Sequence, residues 1–576
     1  MQTKSLQRKR ALRTALLVLL LSAVGMGKGY AQEYDFSAVC ETGQTLYYNI
    51  IGTNQVEMTS PTGMGWYGFE EPTGDIVLPE SVQFEGTNYT VTSIGSYAFM
   101  YCRELTGSLA IPNSVTTIGF LAFSSCTGLT SLFIPQSVTS IGFDIYTYST
   151  SSFPGCGFEQ IIVDLNNPVY DSRDNCNAII ETSTNTLIQG CNNSFIPASV
   201  TIIGSDAFSG CIGLTSIDIP DSVTIIGSGA FSGCIGLTSI DIPFSVTVIN
   251  NHTFGGCTGL TSISIPNSIT EIGLFAFSYC TGLTGDLFIP NSVTVIGRGA
   301  FEYCSGLTSV FIPQSVECFD SSYGDVPFAF CTALESIIID ANNPYFDSRD
   351  NCNAIIKTST NQLIQGCKNS IIPNSITTIG AGAFLGCTGL SGGILIPDAV
   401  TGIGRAAFYG CSSITSLTIG NSVTLISHDV FAECTNLASV TVLAVTPPYF
   451  CDGSEKDAFS GVPCTTLTVP CHCIEAYAAE GWDYHFTTIV DDCTSVAEEE
   501  ENRGFVYPNP TSGQVKIEAE DLKQITISDM LGQIIYESKA EGDVFEYDFS
   551  NNEAGVYLVR IETASGIVVK KVSVTQ

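Results

Sequence analysis

A unit of 23 or 24 residues, written many times over, constrains this chain more than any other feature. Ile-Pro recurs at 111–112, 134–135, 196–197, 219–220, 242–243, 265–266, 289–290, 312–313, 372–373 and 396–397. A Phe stands three residues before a Cys in twelve units, from Phe99/Cys102 to Phe431/Cys434. One copy, from Leu214, reads LTSIDIPDSVTIIGSGAFSGCIG, and the next begins at Leu237. Such a unit cannot fold alone. Burying about seven apolar side chains yields roughly 10–20 kcal/mol of transfer free energy, whereas ordering its backbone costs on the order of 23–46 kcal/mol. Each copy must stack on its neighbours, and the ends of the stack need caps.

Within a copy, Leu214, Ile217 and Ile219 have the L-x-x-L-x-L spacing of a leucine-rich repeat. The alternation predicts a short strand over this stretch, ended by Pro220, which has no N–H to give to a ladder. Val223, Ile226 and Phe231 turn inward on the return. The predicted fold is therefore a repeat solenoid of the leucine-rich kind. It is β-rich, with short parallel strands and about 23 residues per coil, and makes about twelve to fifteen coils over 91–440, behind an N-terminal cap at 32–90. The repeat cysteines read as small buried hydrophobes, because equivalent positions in successive coils point the same way and suit no disulfide.

Two longer units, near 160–195 and 336–371, interrupt the array. DSRDNCNAII occurs at 171–180 and again at 347–356, each time followed by a polar turn and LIQGC. Two apolar runs around such a turn predict a hairpin, with Cys176–Cys191 and Cys352–Cys367 as cross-links in an exported protein. The Asp171, Asp174 and Asn175 cluster reads as turn capping rather than a cation site. Residues 441–493 hold Cys451, Cys464, Cys471, Cys473 and Cys493 beside Trp482 and read as a disulfide-rich C-terminal cap. The sequence leaves their pairing open, as it does for Cys40 and Cys318. Cys471-His472-Cys473 lacks the C-x-x-C spacing of a zinc site, so no metal and no cofactor is expected.

Both ends of the chain read as addresses. Residues 1–31 have a basic start, an apolar run from Ala15 to Val24 and a small-residue cut site before Gln32, as in a secretory signal. Six of the 21 Lys and Arg residues lie in the first 28 positions, so the remainder carries 15 basic against 56 acidic residues. A body this acidic repels phosphate backbones, which argues against a nucleic-acid partner. No later apolar run reaches membrane length, so no transmembrane segment is expected in the mature chain. An acidic linker at 494–503, with Glu498–Glu501, precedes a strand-rich sandwich at 504–576.

The units IPNSVTTIG, AFSSC and LTSISIP resemble the BspA-like leucine-rich repeats of bacterial surface proteins, over roughly 91–440. The copies carry Ser222-type residues where the common eukaryotic repeat has Asn. The landmarks Tyr507-Pro508-Asn509-Pro510-Thr511-Ser512-Gly513, Gly555–Ile561 and Lys570–Val574 resemble the type A C-terminal sorting domain of type IX secretion cargo. That resemblance implies engagement of the type IX machinery, passage across an outer membrane, removal of the tail, and attachment to the surface of a Gram-negative bacterium.

A search for catalytic arrangements finds little. Gly389-Leu390-Ser391-Gly392-Gly393 fits G-x-S-x-G, but a nucleophile elbow needs a strand before the Ser and a helix after it. Cys473, His485 and Asp491 read as parts of the cap rather than a thiol triad, and His252 and His428 sit in separate repeats. No enzyme is expected. The side chains between the inward Ile positions face outward on a long concave sheet. They include Phe133, Asp218, Asp241, Phe288 and Phe311, with Phe244 just past its Pro. Phe288 and Phe311 are expected on neighbouring strands as an aromatic patch, and Asp218 opposite Asp241 with like charge. The family resemblance implies adhesion, with a protein partner in host matrix or on another cell.

Overall fold

A computed structural model describes residues 33–142, 151–319, 326–451, 458–493, 505–530, 533–540, 542–564 and 566–575. The signal segment 1–31 and the linker 494–503 lie outside the described residues. The chain divides into two units, one ending at Asp491 and one beginning at Asp492.

The first unit is a β-solenoid of about 16 turns with about 23 residues per coil. Its coils are joined along two walls. On one wall, two-residue strands drawn from the Val-Thr-x-Ile stretch pair in parallel, as in the run Thr378–Ile379, Gly402–Ile403, Leu425–Ile426 and Tyr449–Phe450. On the other, longer strands that follow the repeat Leu pair in parallel, as in Thr284–Phe288, Gly306–Ile312 and Ser336–Ile339. The coil extends beyond the recognisable repeats. Gln55–Thr59 already pairs in parallel with Thr87–Ile94, and Ser439–Val442 continues through Thr466–Val469 to Thr488–Asp491. That is why the turns exceed the twelve to fifteen expected.

The long strand does not run through every unit. Leu214–Pro220 forms no strand; its wall is held by single backbone hydrogen bonds, Thr238 N–H to the Thr215 carbonyl and Thr261 N–H to the Thr238 carbonyl at 3.2 Å, and by an isolated bridge between Asp241 and Ser264. The strand resumes at Thr284–Phe288, where the apolar side chains of Phe288 and Phe311 lie side by side on neighbouring rungs.

Between the walls runs a column of phenylalanines. The rings of Phe208, Phe231, Phe254, Phe277, Phe301 and Phe328 stack at 5.2–5.6 Å with nearly parallel planes. Shorter columns run from Phe99 to Phe153 and from Phe384 to Phe459. The long units interrupt the column, and there a glycine lies under the first ring of the next run. A Cβ on Gly190 would sit 2.1 Å from Phe208, and one on Gly366 2.1 Å from Phe384. The LIQGC motif needs its glycine for this contact.

The repeat cysteines are buried, and their thiols do more than fill space. In nine coils the Sγ–H donates to the carbonyl of the column Phe one coil back, whereas Cys211, after a long unit, lies on the Gly190 carbonyl instead. Cys257 reaches Phe231, Cys280 reaches Phe254 and Cys304 reaches Phe277, at 3.1–3.2 Å. Burial pushes the Cys257 and Cys434 thiols up to about 12, far from a reactive thiolate.

Each long unit contains an antiparallel hairpin, Ile179–Glu181 with Thr186–Gln189 and Ile355–Lys357 with Gln362–Gln365. The expected cross-links are absent: Cys176, Cys191, Cys352 and Cys367 are free thiols. A bulge between Ile179 and Ile180 shifts the register by one, and Asn177 rather than Cys176 then faces Cys191, with Nδ2 3.1 Å from Sγ. The second hairpin repeats this with Asn353 and Cys367 at 3.2 Å. Adjacent residues on a strand point to opposite faces, so a slip of one separates the sulfurs. Asp171 is engaged by its own turn, accepting from the Arg173 amide and guanidinium at 2.7–3.1 Å. Within 441–493, Cys471 is bonded to Cys493, while Cys464 and Cys473 carry thiols.

The second unit has two antiparallel sheets. Phe505–Tyr507, Gln514–Glu518 and Val544–Asp548 form one; Ile534–Lys539, Leu522–Asp529, Gly555–Thr563 and Ile567–Val574 form the other. Val515 and Ile517 of the first sheet share a core with Ile525, Ile527, Val559 and Ile561 of the second.

Candidate functional site

The long-strand wall alternates buried and exposed side chains, so each strand offers one outward row. Leu287 and Ile289 are buried, while Phe288 between them is 69% exposed. Phe288 pairs with Phe311, and Phe311 with Ile338, itself 50% exposed. This gives three apolar side chains on successive rungs. Phe133 heads a second row, paired with Ala110 on one side and Ile162 on the other. Asp218, Asp241 and Phe244 are exposed between these rows. Asp241 bridges to Ser264 on the following rung, and Asp218 joins no ladder among the described residues. The structure thus brings Phe288 and Phe311 together and keeps Phe133 apart from them.

A second exposed feature lies at the turn that precedes each repeat cysteine. The residue there has positive φ in unit after unit, which favours glycine; Gly155, Gly210, Gly233, Gly256, Gly386 and Gly410 fill it in six of them, and Tyr101, Ser125 and Glu433 in three more. Tyr279, Tyr303 and Phe330 occupy the same position at φ 57–58°. A left-handed backbone costs a side-chain-bearing residue roughly 1–2 kcal/mol. Their rings stack, Tyr279 on Tyr303 at 4.4 Å and Tyr303 on Phe330 at 4.3 Å. Phe330 covers Gly386, whose Cβ would lie 2.0 Å from the ring. The other end of the stack is open: Tyr279 is 51% exposed, and beyond it the next rung is Gly256.

The open rung is the floor of a groove of about 470 Å³. Gly233 and Gly256 form its base, Tyr279 its end wall, and His252 with Phe275 its side, with the Glu302 carboxylate at the rim. His252 stacks on Phe275 at 5.2 Å, and the Arg298 guanidinium covers Phe275 at 5.1 Å. Burial against this stack, and secondarily Arg298, hold the His252 imidazole below its ordinary 6.5.

The candidate catalytic groups do not converge. Ser391 precedes the strand Gly392–Ile396, the reverse of a nucleophile elbow. The Cys473 thiol lies on the Cys471 carbonyl at 3.6 Å, His485 packs against Phe450 and Phe459, and Asp491 accepts from the His472 amide. Cys471, His472, Asp491 and Cys493 cluster within metal-ligand distance. The two sulfurs are joined in the disulfide, which leaves two donors where a closed site needs four. Among the described residues no helix is long and apolar enough to cross a membrane.

The family model described as BspA type leucine rich repeat region matches residues 80–153, 179–285, 224–357 and 355–480, well over half of the chain. The chain belongs to the BspA-type leucine-rich repeat family. Behind the BspA-type solenoid, residues 505–575 match the secretion system C-terminal sorting domain. A tail of this kind implies type IX secretion to the cell surface or the extracellular space. Solved structures similar to this BspA-type chain include a leucine-rich cell-surface protein from Faecalibacterium prausnitzii, 21% identical, covering 80% of this chain and 96% of that one at a TM-score of 0.40. A leucine-rich repeat protein from Bacteroides ovatus is 24% identical and covers 80% of this chain and all of that one at a TM-score of 0.33. No curated protein matches the chain.

The exposed aromatic column escaped the sequence reading, which followed the inward Phe and Cys of each BspA-type unit. Its signal lies between them. The residue before the Cys is Gly in six of the twelve units and aromatic in three consecutive ones, Tyr279, Tyr303 and Phe330.

Proposed function

We propose that this BspA-type chain is exported by the signal at 1–31, carried across the outer membrane of a Gram-negative bacterium by its tail, and attached to the cell surface. There the long-strand wall binds proteins, of the host matrix or of other cells. The reading rests above all on Phe288, Phe311 and Ile338. A solvated sheet face ordinarily carries polar side chains, whereas these three are apolar and successive, a composition typical of interaction patches. Phe133 and Ile162 supply a second patch, and the exposed Asp218, Asp241 and Phe244 lie between the two.

On this reading the chain works by binding rather than turnover: Ser391 stands before a strand instead of before a helix, the Cys473 thiol lies on the Cys471 carbonyl, and His485 packs against Phe450 and Phe459. The test is retention of matrix proteins and bacterial cells by the immobilised full chain. The double variant Phe288→Ser, Phe311→Ser should retain them on the order of tenfold less than the parent, as expected for loss of a hot-spot pair. Equal retention by both would leave the solenoid a structural coat without a ligand on this wall.

A further inference from the structure

Folding alone does not account for the Tyr279–Tyr303–Phe330 column. Glycine would fill all three positions without strain, as it does in neighbouring coils. The rings instead accept a left-handed backbone while Tyr279 keeps half its surface in water. Such local strain gathers at functional sites.

We propose that the open rung beside Tyr279 binds a glycan through one uncharged hexopyranose ring, which stacks on the tyrosine and completes the column. Three observations carry this. The first is shape. A Cβ built on Gly256 would meet nothing nearer than the Gly233 backbone at 3.5 Å, so a flat ring has room over Gly256 and Gly233. The column already repeats at 4.3–4.4 Å, a spacing at which a ring face lies in contact.

The second is chemistry. An aromatic face carries negative charge density and attracts weakly positive hydrogens; a pyranose offers a face of C–H groups and an edge of hydroxyls. Ser232, His252 and Glu302 also line the groove and bring a hydroxyl, an imidazole and a carboxylate beside Tyr279, polar groups of the kind that pair with sugar hydroxyls. Pockets for small ligands combine an apolar wall with a few such polar groups.

The third is charge. With 56 acidic against 21 basic residues, the chain repels carboxylated and sulfated sugars. Arg298 behind Phe275 and Glu302 at the rim carry opposite charges near the groove. A neutral ring suits this balance. The guanidinium of a basic peptide, which would also stack on Tyr279, would meet Arg298 nearby.

The test is an array of immobilised oligosaccharides ending in galactose, mannose or N-acetylglucosamine, with sialylated counterparts and an arginine-rich peptide as further arms. The full chain is the probe. It should retain at least one neutral glycan, and the Phe288→Ser, Phe311→Ser chain should retain it equally, which separates this site from the protein-binding wall. Tyr279→Gly should weaken retention on the order of tenfold, the value of one stacking contact. That variant restores the commonest residue of its column, so its thermal midpoint should stay the same or rise. Gly256→Tyr offers an independent check, because its own ring fills the rung and should block the sugar. Retention confined to sialylated glycans or to the peptide would overturn the proposal. So would no retention, or retention unaffected by both variants.

Discussion

Two aromatic stacks run along the same solenoid and differ in what holds them. In the interior column, Phe254 is fully buried between Phe231 and Phe277. Its backbone is relaxed, and burial of the ring stabilises the coil directly. In the outer column, Tyr279, Tyr303 and Phe330 stack more closely but sit at positive φ and remain partly in water. Stacking returns about 0.5–1.5 kcal/mol per pair beyond burial, which only offsets the backbone cost. The inner stack is architecture. The outer one adds little to folding and needs another reason to exist.

The sharpest way to break this contrast is Phe254→Ala. Removing a ring from the middle of the buried column should cost about 3–5 kcal/mol, read as a lower urea midpoint with the far-UV spectrum retained before unfolding. A smaller loss is expected at the point where the column is interrupted. Gly190→Ala places a methyl 2.1 Å from Phe208, so the ring must shift. The cost of such overpacking is about 1–3 kcal/mol, measured by the same denaturation. Next comes Tyr303→Gly in the outer stack. Relief of the left-handed backbone and loss of two ring contacts oppose each other, so stability should change by less than about 1 kcal/mol. A loss as large as that of Phe254→Ala would make the two stacks equivalent and end the contrast.

The finest distinction is a titration. His252 beside the groove should titrate below 6.5 by NMR, because burial and Arg298 disfavour its charged form. The sign for stability follows. Above 6.5 the imidazole is neutral folded or unfolded. As pH falls below 6.5, the unfolded chain takes up a proton before the folded chain does, so the contribution of this residue to stability declines toward acid. His252→Gln should remove that slope.

The period and the inward Phe and Cys were legible because each follows from a repeated local pattern, and the sorting tail through the resemblance of landmarks such as Tyr507–Gly513. The missing cross-links were not, since a one-residue bulge in the Ile179–Gln189 pairing decides which side chain meets Cys191, and nothing in DSRDNCNAII announces it. The strand lengths were also hidden. LTSIDIP and LTGDLFIP read alike, yet an aspartate in one and a phenylalanine in the other occupy the outward row and pair differently. The outer aromatic column stood in plain view in the sequence, but its meaning depends on φ, which a pattern of apolar spacings does not report.

The cysteine-to-carbonyl ladder sets a schedule as well as a geometry. Once a coil has closed, its sulfur is shielded from oxidants and from exchange partners. Before closure, many of the same sulfurs are exposed on a loose chain, and an oxidising compartment would join them at random. Coil formation must therefore outpace sulfur oxidation during export, and any change that delays stacking should first betray itself as mispaired, covalently tangled protein.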